Sequence, residues 1–338
     1  MATVAASLRR PSGAALRRAI RSSERTELVL AALAVALLAF IAGMVAFVFA
    51  TAWPSFEANG LAWFGAGGEI NTQLRAILDS PSDPAKYVYE IRAFPLIVGT
   101  ALSTVLAAMI GTAFAVLCSL FIVEFAPPAV SRVMTPVVRL LAAVPSVVYG
   151  LLGVLVITPW IGRNLVSQDF KLAVKPIVPI SGEGLLAATL ILTIMITPIM
   201  IAIISDALRA VPKSWTEGSA ALGVNRWRTT WTISVRTARP AITAALVLAC
   251  ARALGEAIML AMVAGNFGFA PNPLDGLNAF TEPIQPLAAS IVLNSEGLSV
   301  EPFGQTLYAF AAVLLVSAGL LSYAGWAAKQ PLRKYGIR

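Results

Sequence analysis

The chain has 338 residues, of which 58% are hydrophobic and 12% are charged, and its formal net charge is +8. A soluble domain carries about 25% charged residues and could not bury this much apolar surface in one core, so the composition predicts an integral membrane protein. The chain contains no histidine, which excludes Ser/His and Cys/His catalytic pairs and histidine-ligated metals.

Predominantly apolar stretches long enough to cross a bilayer, about 20 residues each, recur six times along the chain. The predicted spans are residues 28–56, 93–123, 134–162, 185–206, 241–264 and 302–328. The first span is longer than the apolar core of a signal peptide, so we expect it to be retained as a helix. The predicted fold class is therefore all-α, a polytopic membrane protein with six transmembrane helices.

The connecting segments carry an uneven distribution of positive charge. They are a basic N-terminal arm (1–27), an external loop or cap (57–92), a second external loop (163–184), a cytoplasmic loop (207–240), a third external loop (265–301) and a tail (329–338). Together with Arg132 and Arg139, which are counted at the connection between the second and third spans, the segments on the side of the two termini hold 18 of the 25 Lys and Arg residues. The opposite loops hold six, and Arg252 is the remaining one. By the positive-inside rule both termini are expected to be cytoplasmic. This topology accounts for the net charge without a nucleic-acid partner.

The cytoplasmic loop 207–240 contains signals for a short surface helix. Pro212 favours a helix start, and Gly223 is a typical C-terminal cap. A second helix is expected from Asn225 to about Pro240. The short helix is shaped to enter a groove on a partner, although a plain connection with helical turns is the alternative from the residues alone.

The fifth span contains two charges, Arg252 and Glu256, four residues apart. On a continuous helix they would share one face and could form an ion pair. A lone charge at the bilayer centre costs about 2.5–3.5 kcal/mol, so the pair is expected to face a helix bundle or an aqueous path. The guanidinium would attract an oxyanion beside such a path, while an interhelical polar clamp is the alternative.

Three further polar residues, Ser146, Tyr149 and Asn266, lie in or beside the predicted spans and could offer hydrogen bonds to an anion. Ordinary hydrogen bonds between helices are the alternative for each of them. Pro145 and Pro198 lie inside predicted spans and favour kinks in the helices.

The cytoplasmic loop resembles the EAA loop of ABC-type importer permeases. The resemblance is carried by Glu217-Gly-Ser-Ala-Ala-Leu-Gly223 and by Ile233-Ser-Val235, although Gly218-Ser219 and Arg236 depart from the usual pattern. In that family the loop inserts a short coupling helix into the ATPase subunit. The resemblance therefore implies a coupling helix at 215–223, with Trp215, Glu217, Ala221, Leu222 and Gly223 at the contact.

The membrane segments are similar to the oxyanion-importing subgroup of these permeases, and within it to PstC-type phosphate permeases. The matching stretches are Glu124-Phe-Ala-Pro127, Ala142-Ala-Val-Pro145-Ser146-Val-Val-Tyr149-Gly150, Leu192-Thr-Ile-Met-Ile-Thr-Pro198, Ala251-Arg252-Ala-Leu-Gly255-Glu256 and Ala264-Gly265-Asn266. The resemblance covers about residues 94–266. It implies a type I ABC importer permease fold and a translocation role for Arg252 and Glu256.

The same resemblance implies partners and excludes a resident cofactor. The expected assembly has a PstA-like permease, two copies of a PstB-like ATPase that binds ATP and Mg²⁺, and a PstS-like phosphate-binding protein in a bacterial inner membrane. The chain itself has no phosphate-binding loop of the Walker type. Permeases for sulfate, molybdate or tungstate are the nearest alternative; a membrane enzyme acting on a lipid phosphate and a sensor without flux are more distant ones.

Overall fold

A computed structural model describes residues 13–81, 83–166 and 181–333, and every regular element in these ranges is a helix. Residues 1–12 of the predicted basic arm, the middle of the loop 163–184 and the end of the tail 329–338 lie outside the described residues. Residues 1–51 and 52–338 form two compact units. The described part of the first unit is one helix, and the second unit contains the core.

Thirteen α-helices are named here in chain order. They are α1 (Gly13–Asn59), α2 (Ile70–Leu78), α3 (Phe94–Leu120), α4 (Pro128–Ala142), α5 (Ser146–Leu152), α6 (Thr158–Asn164), α7 (Leu185–Arg209), α8 (Lys213–Ala221), α9 (Arg226–Thr229), α10 (Val235–Leu254), α11 (Ile258–Val263), α12 (Leu287–Leu293) and α13 (Phe303–Arg333). Three π-helical turns extend or join them. They are Phe121–Phe125 after α3, Gly153–Ile157 between α5 and α6, and Thr230–Ser234 between α9 and α10.

Six helical runs in the described residues are long and apolar enough to cross a membrane, which confirms the predicted number of spans. The runs are Thr26–Phe64, Phe94–Phe125, Ser146–Asn164, Leu185–Arg209, Arg226–Leu254 and Phe303–Ala328. Helix α7 is central to the second unit because it packs against α3, α4 and α10. Its buried side chains, among them Ile191, Met195 and Met200, form the middle of the core.

The third predicted span, 134–162, is wrong in its first part. The chain is helical up to Ala142, breaks at residues 143–145 and becomes helical again at Ser146. Pro145 lies ahead of the new helix with φ −59° and ψ 140°. Proline has no backbone N–H and disfavours helical geometry in the residue before it, so α4 ends short of Pro145 and α5 starts after it. The membrane-spanning run is 146–164.

Helix α4 is therefore a separate amphipathic element beside α7. The Arg139 guanidinium lies 3.3 Å from an Asp206 carboxylate oxygen, and Arg209 donates a hydrogen bond to the Thr135 hydroxyl at 2.8 Å. These contacts attach α4 to the end of α7 that leads into the loop 207–240.

The predicted boundary between the loop 207–240 and the fifth span 241–264 is also wrong. Asn225 caps a helix by accepting a hydrogen bond from the Arg228 amide at 2.8 Å. That helical run passes through Pro240 and continues to Leu254. A proline inside a membrane helix is tolerated because neighbouring groups satisfy the freed backbone. The helix then breaks at residues 255–257 and α11 follows.

The segments predicted to be external are more ordered than loops. The described part of 57–92 contains α2, two 3₁₀ turns and a fully buried Trp63 that donates to the Ser55 hydroxyl at 3.3 Å. The predicted loop 265–301 contains the buried helix α12, which packs against α3, α11 and α13. Sequence periodicity did not identify α12 because it is seven residues long and follows a Pro-rich stretch.

Candidate functional site

The site is built where α5 and α11 cross at short distance. Both Gly150 and Gly153 face α11: a Cβ on Gly150 would lie 3.2 Å from the Met259 Cα, and a Cβ on Gly153 would lie 2.5 Å from a Val263 methyl group. Because neither glycine has a side chain, the two short helices can approach closely. These glycines were not among the predicted site residues, although their three-residue spacing in an apolar span is a signal of close helix packing.

Arg252 lies in the last turn of α10, and its side chain is exposed on the surface of the subunit. Within the described part of the chain, the guanidinium has no carboxylate within 4.0 Å. A charged side chain is not stable against lipid, so an exposed arginine on a membrane-spanning helix indicates an aqueous path or a polar partner surface. A guanidinium has five N–H donors, and no side chain in the described ranges forms an ion pair with those of Arg252.

Glu256 lies in the break after α10 and is buried, with 8% of its surface exposed. One carboxylate oxygen accepts a hydrogen bond from the Met259 amide at 3.3 Å. A side-chain acceptor at this position satisfies one of the free amides at the start of α11. The predicted Arg252–Glu256 ion pair is wrong, because α10 ends between the two residues and they do not share a helical face.

Tyr149 connects this region to the end of α4. Its side chain is buried, and its hydroxyl donates a hydrogen bond to the Leu141 carbonyl at 2.8 Å, across the break at residues 143–145. The phenol also lies within electrostatic range of Arg252. Ser146 lies one turn before Gly150 on the helix that faces α11 and is half-buried. The structure therefore brings Tyr149 and Arg252 into one region.

Asn266 does not belong to that region. It follows the opposite end of α11, about 9 Å of helix away from Glu256, and adopts φ +57°. Its side-chain amide donates to the Ala261 carbonyl at 2.6 Å, and its backbone carbonyl accepts from the Asn71 side-chain amide at 3.2 Å. Asn266 instead lines a cavity of about 350 Å³ beside α2. The other lining residues are Glu69, Asn71, Thr72, Leu74, Arg75, Leu78, Phe267, Asn294 and Phe303.

A helix is present where the coupling helix was predicted: α8 begins and ends two residues earlier than the predicted range 215–223. Gly223 caps it at φ +75°, with its amide donating to the Ala220 carbonyl at 2.9 Å. Trp215 is 49% exposed and Leu222 is 84% exposed. Glu217, Ala221 and Gly223 are exposed as well. Exposed apolar side chains outside the membrane spans indicate a protein contact surface.

Comparison with known proteins places this arrangement in a family. The family described as binding-protein-dependent transport system inner membrane component matches residues 111–328. A probable ABC transporter permease protein, YqgH of Bacillus subtilis, is 33% identical over 258 residues, which are 76% of each chain. A probable phosphate transport system permease protein, PstC of Methanocaldococcus jannaschii, is 27% identical over 285 residues, covering 83% of this chain and 82% of that one.

A solved structure shares the fold. A chain of a bacterial alginate ABC transporter, in complex with an alginate-bound periplasmic protein, superposes with a TM-score of 0.55. It is 14% identical, and the match covers 92% of this chain and 97% of that chain. The predicted importer permease fold is thereby confirmed.

Proposed function

Because the chain belongs to the family of binding-protein-dependent transport system inner membrane components, we propose that it is the PstC-type permease of an ATP-driven phosphate importer. Relatives named as phosphate transport system permeases support this substrate. The strongest support from the chain itself is Arg252, which presents from a membrane-spanning helix a guanidinium with no ion-pair partner among the described residues. That fork of donors matches the oxygens of phosphate.

The proposed path runs past the region of Arg252, Glu256 and Tyr149. Arg252 would attract the anion, and the buried Glu256 would keep the start of α11 in place beside it. Ser146 would offer a hydroxyl from α5. Asn266 would act further out, at the cavity beside α2, where the anion enters before it reaches the membrane-spanning part.

The proposed assembly supplies what this chain lacks. The exposed Trp215 and Leu222 of α8 would enter a groove on an ATPase subunit, which would bind ATP and Mg²⁺. A second, PstA-like permease would complete the path and would bind the second copy of the ATPase. A PstS-like protein would deliver phosphate. The family description is consistent with a binding protein and an inner membrane. Both termini would then be cytoplasmic, as the charge distribution predicts.

The test is labelled-phosphate uptake into proteoliposomes that contain the complete complex and ATP. We expect ATP-dependent uptake that an excess of unlabelled phosphate suppresses and that sulfate, molybdate and tungstate leave unchanged. Uptake of one of those other oxyanions in place of phosphate would contradict the proposed substrate.

A further inference from the structure

A hydrogen bond joins two π-helical turns that are distant in sequence. The Ser234 hydroxyl donates to a carboxylate oxygen of Glu124 at 2.9 Å. Ser234 ends the turn between α9 and α10 and is fully buried, whereas Glu124 lies in the turn that extends α3 and is half-buried. Single π-helical turns occur frequently at functional positions. Here the two turns meet at their polar side chains.

An aromatic contact supports the same junction. The Phe125 ring lies 5.9 Å from the Trp227 ring, and the Arg226 guanidinium lies 5.2 Å from the centre of Phe125. Cation–π and aromatic contacts of this kind are individually worth about 0.5–1.5 kcal/mol. The extension of α3 is thus held to the start of the Arg226–Leu254 run by one hydrogen bond and two ring contacts.

The junction is continuous with the exposed helix α8. The hydroxyls of Ser219 and Thr229 are hydrogen-bonded at 2.8 Å, which joins α8 to α9. Thr229 is buried beneath α8. A displacement of α8 would therefore reach Ser234 through five residues of helix, and would reach α3 through Glu124. Helix α3 in turn packs along α7, the central helix of the core.

We propose that Glu124 is a positioning residue, which transmits movement of α8 to α3 through its hydrogen bond to Ser234. Within the described residues Glu124 has no cation within 4.0 Å, so its carboxylate is available as a strong acceptor for the serine hydroxyl. Without the bond, α8 would still bind its partner, but movement of α8 would no longer be transmitted to α3. The inference rests on the proposed function, because it assigns a role within ATP-driven transport.

The experiment measures the ratio of ATP hydrolysed to anion imported by the complete complex in proteoliposomes. Glu124→Ala and Ser234→Ala should each raise the ratio at least about fivefold. The double variant should be no worse than either single variant, because both remove the same interaction. Glu124→Gln keeps an acceptor oxygen and should stay close to wild type. Ser317→Ala is the matched control, because within the described part of the chain that hydroxyl's one hydrogen bond is to the Val313 carbonyl of its own helix, at 2.8 Å.

A wild-type ratio in assembled Ser234→Ala complexes would overturn the inference, even if Glu124→Ala reduced assembly. The ratio is measured with whichever oxyanion the wild-type complex imports. If the wild-type complex imports another oxyanion but not phosphate, the proposed substrate is overturned, and Glu124 can still be tested with that other oxyanion. An additive double variant would also overturn the inference, since it would show that the two side chains act separately.

Discussion

Arg252 and Glu256 lie on opposite sides of a helix break, although they are only four residues apart in sequence. The break separates their roles. Arg252 ends one helix with an exposed guanidinium, and Glu256 is buried as the cap of the next helix. The positive group is therefore not neutralised by its neighbour.

The capping role predicts how Glu256 responds to substitution. Glu256→Gln keeps an oxygen that can accept from the Met259 amide, so the thermal unfolding midpoint of the purified complex should stay near wild type. Glu256→Ala removes the cap and should cost about 0.5–2 kcal/mol of stability. The exposed Glu296 provides the control Glu296→Ala, which should not shift the midpoint. Equal destabilisation by Gln and Ala would show that the charge, rather than the cap, is required.

The close crossing of α5 and α11 predicts that Gly153 does not tolerate even one methyl group. Gly153→Ala would place a Cβ 2.5 Å from a Val263 methyl group and should cost about 1–3 kcal/mol, seen as a lower unfolding midpoint. Adding Val263→Ala should restore part of the loss. Gly319→Ala is the matched control, since a Cβ there meets nothing within 4 Å. Equal stability of the Gly153 and Gly319 variants would contradict the proposed packing.

The left-handed cap of α8 predicts a loss of ATPase binding when Gly223 is replaced. Any L-residue at φ +75° is strained by about 1–2 kcal/mol, and Gly223→Trp adds bulk to the exposed end of the helix. The ATPase should no longer co-purify with this variant. Gly218→Ala should retain the ATPase, since this helical glycine has open space around it. Normal ATPase recovery and stimulation with Gly223→Trp would show that α8 is not the docking element.

The length of the apolar stretches was enough to predict six spans, because a bilayer imposes one simple requirement on each helix. The helix breaks depend on local chemistry within those stretches. Pro145 was the visible signal for the first break, but it was interpreted as a kink. The second break, after Leu254, had only Gly255 as a signal, so the spacing of Arg252 and Glu256 suggested a pair that the chain does not form.

Which separate segments pack against each other could not be predicted from the sequence. The spacing of Gly150 and Gly153 signals a close helix contact but does not identify its partner, since α11 lies about 110 residues away in sequence. Asn266 was a candidate for the path because it lies close to Glu256 in sequence. Its backbone carbonyl accepts from Asn71 and its side-chain amide donates to the Ala261 carbonyl, and these bonds hold it beside α2, at the far end of α11.

The most direct test of the central claim is phosphate uptake by complexes that contain Arg252→Ala. Arg252→Ala would remove the proposed charge-assisted hydrogen bonds to the anion, which are worth about 1.5–3 kcal/mol, so ATP-dependent uptake should fall about tenfold or more, with the subunits still assembled. Arg163→Ala is the control, because that side chain donates to the Pro159 carbonyl of its own helix and should leave uptake unchanged. Wild-type uptake by an assembled Arg252→Ala complex would contradict the assignment of Arg252 to the anion path.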